Sequence, residues 1–161
     1  SAWVQSDASE IIRFARKASA GANSDRVRMQ KLQSAVSLHI SKKNLNVGYA
    51  SALEALRMRE GDCTEHALLL AASGRALNIP TRVVVGLAYV DQFAGHQQAF
   101  VPHAWVQAWV NQRWTSFDAA LNGFDSGHIA LGVGSGEPTM FYGSIGLLGN
   151  LSISRMEAAD P

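Results

Sequence analysis

The sequence has little cysteine, no excess of charge of either sign and no long apolar run. Cys63 is the one cysteine among 161 residues, which excludes an internal disulfide framework and a metal site built from several thiolates. The 14 Lys and Arg residues balance 13 Asp and Glu residues, so no electrostatic reason to bind nucleic acid or an anionic membrane is present. No apolar segment approaches the roughly 18 residues of a transmembrane helix.

What the sequence does contain is typical of a folded globular chain. Hydrophobic residues make up 47% of it, which excludes a disordered chain. We expect one domain over residues 1–161, with a helical part at about 1–60, a core at about 61–120 and a glycine-rich tail at about 121–161. Because no initiator methionine precedes Ser1, we also expect a fragment of a longer protein, whose other domains would be partners.

The first half of the chain has helical periodicity. The spacing of residues 7–10 (DASE) predicts a capping box for a first helix, and Gly21 is predicted to be its C-cap. A second helix is predicted to begin at Ser24, and a third covers residues 50–59. Residues 67–72 (ALLLAA) are apolar on all sides, which predicts a helix buried in the middle of the domain.

The second half of the chain has the periodicity of strands. Three strands are predicted, at residues 81–89, 103–110 and 113–118. A polar loop is expected at residues 91–101. The tail is predicted to hold a strand at 127–133, a helix that begins at Pro138 and a final strand near 151–156. Helices followed by strands indicate an α+β fold rather than alternating βαβ units.

Cys63 is predicted to be the first residue of the buried helix. Asp62 is a typical N-cap, and Glu65 follows three residues later, so the two form a capping-box pattern. The N–H groups and the positive dipole end at a helix N-terminus favour an anion, which lowers the pKa of a thiol placed there. The two carboxylates oppose this effect, so a nucleophilic Cys63 needs a cationic partner. The alternative is a small buried hydrophobic residue.

His103 and Asp118 are predicted to share one face of a β-hairpin. Residues 103–110 alternate between a face that carries His103 and Trp105 and a face of small apolar residues. A two-residue turn at 111–112 pairs Trp105 with Asp118, which makes Asp118 the diagonal neighbour of His103. A turn of odd length would send Asp118 to the other face. Beside His103, Trp105 is a candidate for substrate binding, or else it packs in the core.

Cys63, His103 and Asp118 together have the composition of an activated-nucleophile site. The imidazole can take up the thiol proton, and the carboxylate can fix the tautomer of the imidazole. The backbone N–H of Cys63 is one expected oxyanion donor.

The remaining histidines suggest one alternative site. Cys63 and His66 lie one helical turn apart, so with His96 or His103 they could bind zinc, although the usual paired-ligand patterns are missing. No other metal site or cofactor is predicted. His39 and His128 show no partner in the sequence and are predicted to have ordinary structural roles.

Four segments of the chain resemble the transglutaminase-like superfamily. They are 61–67 (GDCTEHA), 78–86 (NIPTRVVVG), 103–105 (HAW) and 113–118 (RWTSFD). The resemblance implies a papain-like core in which the cysteine helix packs on an antiparallel sheet, with Cys63, His103 and Asp118 as a catalytic triad. It also implies acyl transfer or hydrolysis at amide bonds of a protein or peptide substrate, through a thioester and without a cofactor.

Three questions stay open at the level of sequence. Water as acceptor would make the protein a peptidase or amidase, whereas a primary amine would make it a crosslinking transglutaminase. A peptide-binding module that has lost turnover is the alternative from another functional class. The habit of the family favours an extracytoplasmic, periplasmic location in a bacterium, whereas a single free cysteine fits the cytoplasm equally well.

Overall fold

Helices come first and sheet strands later in the chain, as the order of the sequence patterns predicts. The computed structural model describes residues 1–43, 48–93, 95–121, 123–148, 150, 152 and 154, without the side chains of Lys43 and His96. The helices in these ranges are α1 (Ser9–Ala18), α2 (Asp25–His39), α3 (Ala52–Met58), α4 (Cys63–Ala76) and α5 (Pro138–Leu148). The strands are β1 (Lys42–Lys43), β2 (Glu60–Gly61), β3 (Thr81–Phe93), β4 (His96–Val110), β5 (Arg113–Phe117) and β6 (His128–Gly134).

An antiparallel sheet with the strand order β5-β4-β3-β6 forms one layer, and β1 and β2 pair in parallel away from it. Strand β6 returns beside β3, so that β4 and β6 flank β3 on its two sides. The register with β6 shifts between Val85 and Gly86. A Cβ atom on Gly86 would run into the carbonyl oxygen of Ile129 and the ring of Trp105, so this close approach requires glycine.

The core lies around α4, which packs against β3 and β4 on one side and against α1, α2 and α3 on the other. Leu68, Leu69 and Leu70 are fully buried at consecutive positions. Three consecutive helical residues point in different directions, so α4 is surrounded, as its uniformly apolar sequence predicts. This arrangement confirms the expected α+β fold with the cysteine helix packed on an antiparallel sheet.

The start of α4 confirms its predicted cap, and α2 begins next to the predicted Ser24, whereas both ends of α1 correct the sequence interpretation. Ala8 occupies the N-cap position of α1 and makes no side-chain cap hydrogen bond, so the capping box predicted at 7–10 is wrong. The Ala8 N–H instead closes a turn onto the carbonyl oxygen of Gln5. The C-cap is Ser19 rather than Gly21, and both the N–H and the hydroxyl of Ser19 donate to the carbonyl oxygen of Ala15.

Strands β3 and β4 are longer than predicted, and the polar loop expected at residues 91–101 is wrong. Most of this segment is paired, from Tyr89 opposite Phe100 to Phe93 opposite His96. The rings of Tyr89 and Phe100 meet edge to face with centroids 5.7 Å apart. Backbone pairing and cross-strand ring contacts therefore extend the hairpin through residues whose polarity resembles that of a loop.

The tail confirms the strand and the helix predicted for it, as β6 and α5. Most of the final strand predicted near 151–156 lies outside the described residues. Among the described helices, none has both the length and the apolar character that crossing a membrane would require.

Candidate active site

Cys63 begins α4, as the capping-box pattern predicts. The Thr64 N–H donates to Asp62 Oδ1 at 2.8 Å, and the Asp62 N–H donates to Glu65 Oε2 at 2.9 Å. Glu65 is fully buried, and its Oε1 also accepts a hydrogen bond from the Ala50 N–H at 2.9 Å. The cap therefore ties the start of the helix to the preceding chain and fixes the position of Cys63.

The surroundings of Cys63 oppose ionisation of its thiol. Burial raises the pKa of Cys63 to about 12. The carboxylates of Asp62, Asp118 and Glu65 contribute to this rise, while a hydrogen bond from the backbone of Ala104 acts against it. Burial and three carboxylates therefore outweigh the influence of the helix N-terminus, and the net shift of the Cys63 pKa is upward, in the direction that the sequence predicts for the effect of the carboxylates.

The hairpin register brings His103 and Asp118 together. Val110 pairs with Arg113, so the turn between them has the two residues that the sequence predicts. His103 Nε2 lies 2.6 Å from Asp118 Oδ2, and both residues are buried. An ionised carboxylate only accepts hydrogen bonds, so Nε2 of His103 carries a proton and, in the neutral ring, Nδ1 has a free lone pair.

Asp118 is a fixed carboxylate. Although burial disfavours its charged form, hydrogen bonds from His103 and His128 hold the pKa of Asp118 well below its usual range. Its other oxygen, Oδ1, accepts from the backbone N–H groups of Ala120 and Leu121 at 2.7 and 3.1 Å. Both oxygens are therefore engaged, and the group is charged at neutral pH.

His128 is a site residue that the sequence interpretation missed. Its Nε2 lies 3.0 Å from Asp118 Oδ2, and its Nδ1 lies 3.0 Å from Asp125 Oδ1. Although burial opposes the change, hydrogen bonds to these two carboxylates raise the pKa of His128. The sequence shows no partner for His128, because only the return of β6 beside β3 brings it to Asp118. Its three-residue spacing from Asp125 is the one local signal.

Cys63 and His103 border the same cavity, which has a volume of about 380 Å³. It lies between the start of α4, the paired ends of β3 and β4, and the turn after Asp118. Its lining is mostly apolar and consists of Asp62, Cys63, His66, Val90, Gln92, Phe93, Val101, Pro102, His103, Ala120 and Leu121. A substrate in this cavity would therefore meet the thiol and the imidazole together.

Trp105 lies behind the imidazole rather than on the cavity wall. It is 2% exposed, and its ring stacks on that of His103 with centroids 6.1 Å apart. Its edge contact with the His128 ring spans 5.2 Å. This position does not support the expected substrate contact of Trp105, because its buried ring is not among the groups that line the cavity.

The group of potential metal ligands in the described residues is not the predicted one. It consists of His103, Asp118 and His128, whose ligand atoms lie within 4.8 Å of one another. The hydrogen bonds between these atoms already account for their closeness. The proposed zinc ligands Cys63 and His66 are not in this group, and His66 Nδ1 lies 2.6 Å from the Asp62 carbonyl oxygen.

The sequence matches the family model of the transglutaminase-like superfamily over residues 12–119. The matched segment is more than half of the chain and contains the cysteine, the histidine and the aspartate described above. The chain therefore belongs to the transglutaminase-like superfamily. No match to a curated protein sequence was found.

Solved structures share this fold. A protein from Cytophaga hutchinsonii described as a "putative cysteine protease" aligns with a TM-score of 0.71 and 24% identity, over 83% of this chain and 44% of its own. A TGase aligns with a TM-score of 0.56 and 15% identity, over 75% of this chain and 33% of its own. A "putative protease" from Parabacteroides distasonis aligns with a TM-score of 0.51 and 17% identity, over 80% of this chain and 28% of its own.

At these identities the structural likeness shows the fold alone. The chain spans less than half the length of each of the three proteins. Together with the family match, the fold supports an enzyme of the transglutaminase-like superfamily.

Proposed function

We propose that this chain is a cysteine-dependent enzyme that transfers the acyl group of an amide, in a protein or peptide, to water or a primary amine. The observation that carries the proposal is the shared cavity of Cys63 and His103, with His103 bonded to Asp118 at 2.6 Å. The proposal thus has a nucleophile (Cys63) next to a base (His103), and the base is oriented by a carboxylate (Asp118), which is the arrangement that acyl transfer requires.

The first half of the reaction forms a thioester. Nδ1 of His103 takes the thiol proton as Sγ of Cys63 attacks the carbonyl carbon of the amide. The C–N bond then breaks, His103 gives the proton to the departing nitrogen, and a neutral amine or ammonia leaves. Asp118 stabilises the imidazolium between the two proton transfers.

The second half returns the enzyme to its resting state. Water or a primary amine attacks the thioester carbon and loses a proton to His103. The C–S bond breaks, and the proton passes to Sγ of Cys63, which leaves a carboxylic acid or a new amide as product. The backbone N–H of Cys63 donates to the oxyanion, because the next two N–H groups of α4 are bonded to Asp62.

The resting site holds a neutral thiol in this proposal. Because the pKa of Cys63 is raised to about 12, the thiol keeps its proton until the substrate carbon is attacked. His103 thus acts as a general base during the attack rather than as the cation of a preformed ion pair.

Glutamine-containing peptides test the proposal. The wild-type chain should release ammonia or cleave the peptide, with a mass adduct trapped on Cys63. Cys63→Ala and His103→Ala should each lower the rate by at least about 1000-fold. His39→Ala serves as the matched control, because it removes an imidazole bonded to the Leu56 carbonyl oxygen, away from the cavity.

The two acceptors are separated by adding a primary amine. An acid product formed with or without the amine indicates hydrolysis, and an amine adduct indicates transfer. Peptide binding without turnover by the wild-type chain would overturn the proposal and favour the peptide-binding module instead. Activity retained by Cys63→Ala would also overturn it.

A further inference from the structure

One oxygen of Asp118 meets two imidazoles. Oδ2 lies 2.6 Å from Nε2 of His103 and 3.0 Å from Nε2 of His128. The side chains of the two histidines are 5% and 3% exposed. Because the ionised carboxylate has no proton to give, each Nε2 donates its own. The proposed reaction uses only one of these imidazoles, so the second needs a separate explanation.

His128 is held in place from the protein surface by Asp125. The side chain of Asp125 is 78% exposed, and its Oδ1 lies 3.0 Å from Nδ1 of His128. The same oxygen accepts the N–H of Gly127 at 2.9 Å, which orients Asp125 within the turn that leads into β6. Asp125, His128, Asp118 and His103 therefore form one hydrogen-bonded series from the surface to the cavity.

Two carboxylates and one imidazole face His128 from three parts of the chain. Asp118 faces it from the end of β5, Asp125 from the turn before β6, and the His103 ring from β4 with centroids 5.7 Å apart. Its other ring contacts are uncharged aromatic side chains. His128 is not among the residues that line the cavity, so any effect on the reaction passes through its contacts with Asp118 and with the His103 ring.

We propose that His128 is a positioning residue that aims Asp118 at His103. The N–H of His128 fixes Oδ2 of Asp118, this oxygen holds the N–H of His103, and Nδ1 of His103 is thereby turned towards the cavity. The inference rests on the proposed function, because it assigns His128 a part in that reaction. It predicts an effect on kcat rather than on KM.

Two amide variants separate positioning from packing. In His128→Gln the amide nitrogen falls near the place of Nε2 and still donates to Asp118. In His128→Asn it falls near the place of Nδ1 and reaches only Asp125. The two variants are similar in polarity, so they differ in the contact that the proposal needs. His39→Ala again controls for the loss of a histidine elsewhere.

NMR of protein with 15N-labelled histidine reads the tautomer of His103 directly and requires no activity. We expect a single Nε2–H tautomer in the wild type, in His128→Gln and in His39→Ala, and a mixture of tautomers in His128→Asn. In hydrolysis assays, kcat of His128→Asn should fall about 10- to 100-fold with KM changed less than about threefold, while His128→Gln keeps most of kcat.

Either of two results overturns the inference. In the first, His128→Asn has the same His103 tautomer and the same kcat as the wild type. The other is an equal loss in His128→Gln and His128→Asn while both retain the dispersed NMR spectrum of a folded protein. If the wild type shows no turnover, the proposed function fails, and the tautomer measurement still decides whether His128 positions Asp118 and His103.

Discussion

The protonation state of Sγ of Cys63 distinguishes two versions of the proposed reaction. A neutral thiol needs His103 as a general base, whereas a thiolate forms an ion pair with His103 before the substrate binds. A cysteine at a helix N-terminus suggests a thiolate, yet Cys63 is partly buried and lies near the carboxylates of Asp62 and Glu65. Burial acts on the charged form of the thiol itself, whereas a helix dipole contributes only a partial charge. The environment of the sulfur thus favours a thiol over a thiolate, and in the proposed reaction this thiol loses its proton only when the substrate is attacked.

Alkylation of Cys63 by iodoacetamide measures this protonation state. Near pH 7 the rate should be at least about 100-fold below that of free cysteine, and it should rise about tenfold per pH unit up to about pH 10. His103→Ala should leave the profile nearly unchanged, because no resting ion pair is lost. A rate that stays level between about pH 6 and about pH 8 would contradict the prediction and show a preformed thiolate.

At the scale of elements, the buried side chain of Glu65 holds the start of α4 by accepting hydrogen bonds from the preceding chain. Burial raises the pKa of Glu65 to about 7, while hydrogen bonds from the N–H groups of Ala50 and Asp62 act against this rise. The folded state therefore binds a proton at Glu65 more tightly than the unfolded chain does. Stability that comes from protonated Glu65 is lost as the pH rises from about 5 to about 8.

Glu65→Gln tests this linkage through urea unfolding at both ends of that range. The variant should be less stable than the wild type at about pH 5, because glutamine leaves a buried donor unsatisfied. The difference between the free energies of unfolding of the wild type and the variant should narrow by about 2–3 kcal/mol by about pH 8, where Glu65 of the wild type has lost its proton. Glu54→Gln is the matched control at the same position of the α3 capping box, because Glu54 is exposed and has a lowered pKa. The change in the free energy of unfolding caused by Glu54→Gln should be the same at about pH 5 and at about pH 8.

Local patterns in the sequence were sufficient to predict the elements that carry Cys63, His103 and Asp118. The cap of α4 depends on residues 62–65, and the hairpin register depends on the two residues between Val110 and Arg113. The place of His128 depends instead on where β6 joins the sheet, which is a contact between distant segments. Neither residue type nor spacing encodes such a contact in a single sequence.

At the scale of the whole molecule, α4 joins the two layers of the fold. It packs on α1, α2 and α3 as well as on β3 and β4. The helical layer and the sheet both pack on α4. If either layer unfolded, apolar surface of α4 would be exposed to water, which disfavours unfolding of one layer alone. The single domain expected over residues 1–161 therefore predicts cooperative unfolding.

Urea unfolding followed by tryptophan fluorescence and by far-UV circular dichroism should give coincident transitions. Leu69→Ala should destabilise both signals together by about 2–5 kcal/mol, because Leu69 is fully buried on α4. Leu38→Ala is the control, because Leu38 on α2 is 78% exposed and its loss should cost less than about 0.5 kcal/mol. Two separate transitions would indicate two independent folding units.

The long hairpin of β3 and β4 contributes residues to the cavity wall that lie apart from Cys63 and His103. Val90, Phe93 and Val101 line the cavity from the outer part of this hairpin, whereas Cys63 and His103 sit where α4 and the sheet meet. Changes near the hairpin tip can thus reshape the cavity without disturbing the core. Under the proposed function, substitutions in the outer hairpin would change which substrates fit the cavity while the positions of Cys63 and His103 stay the same.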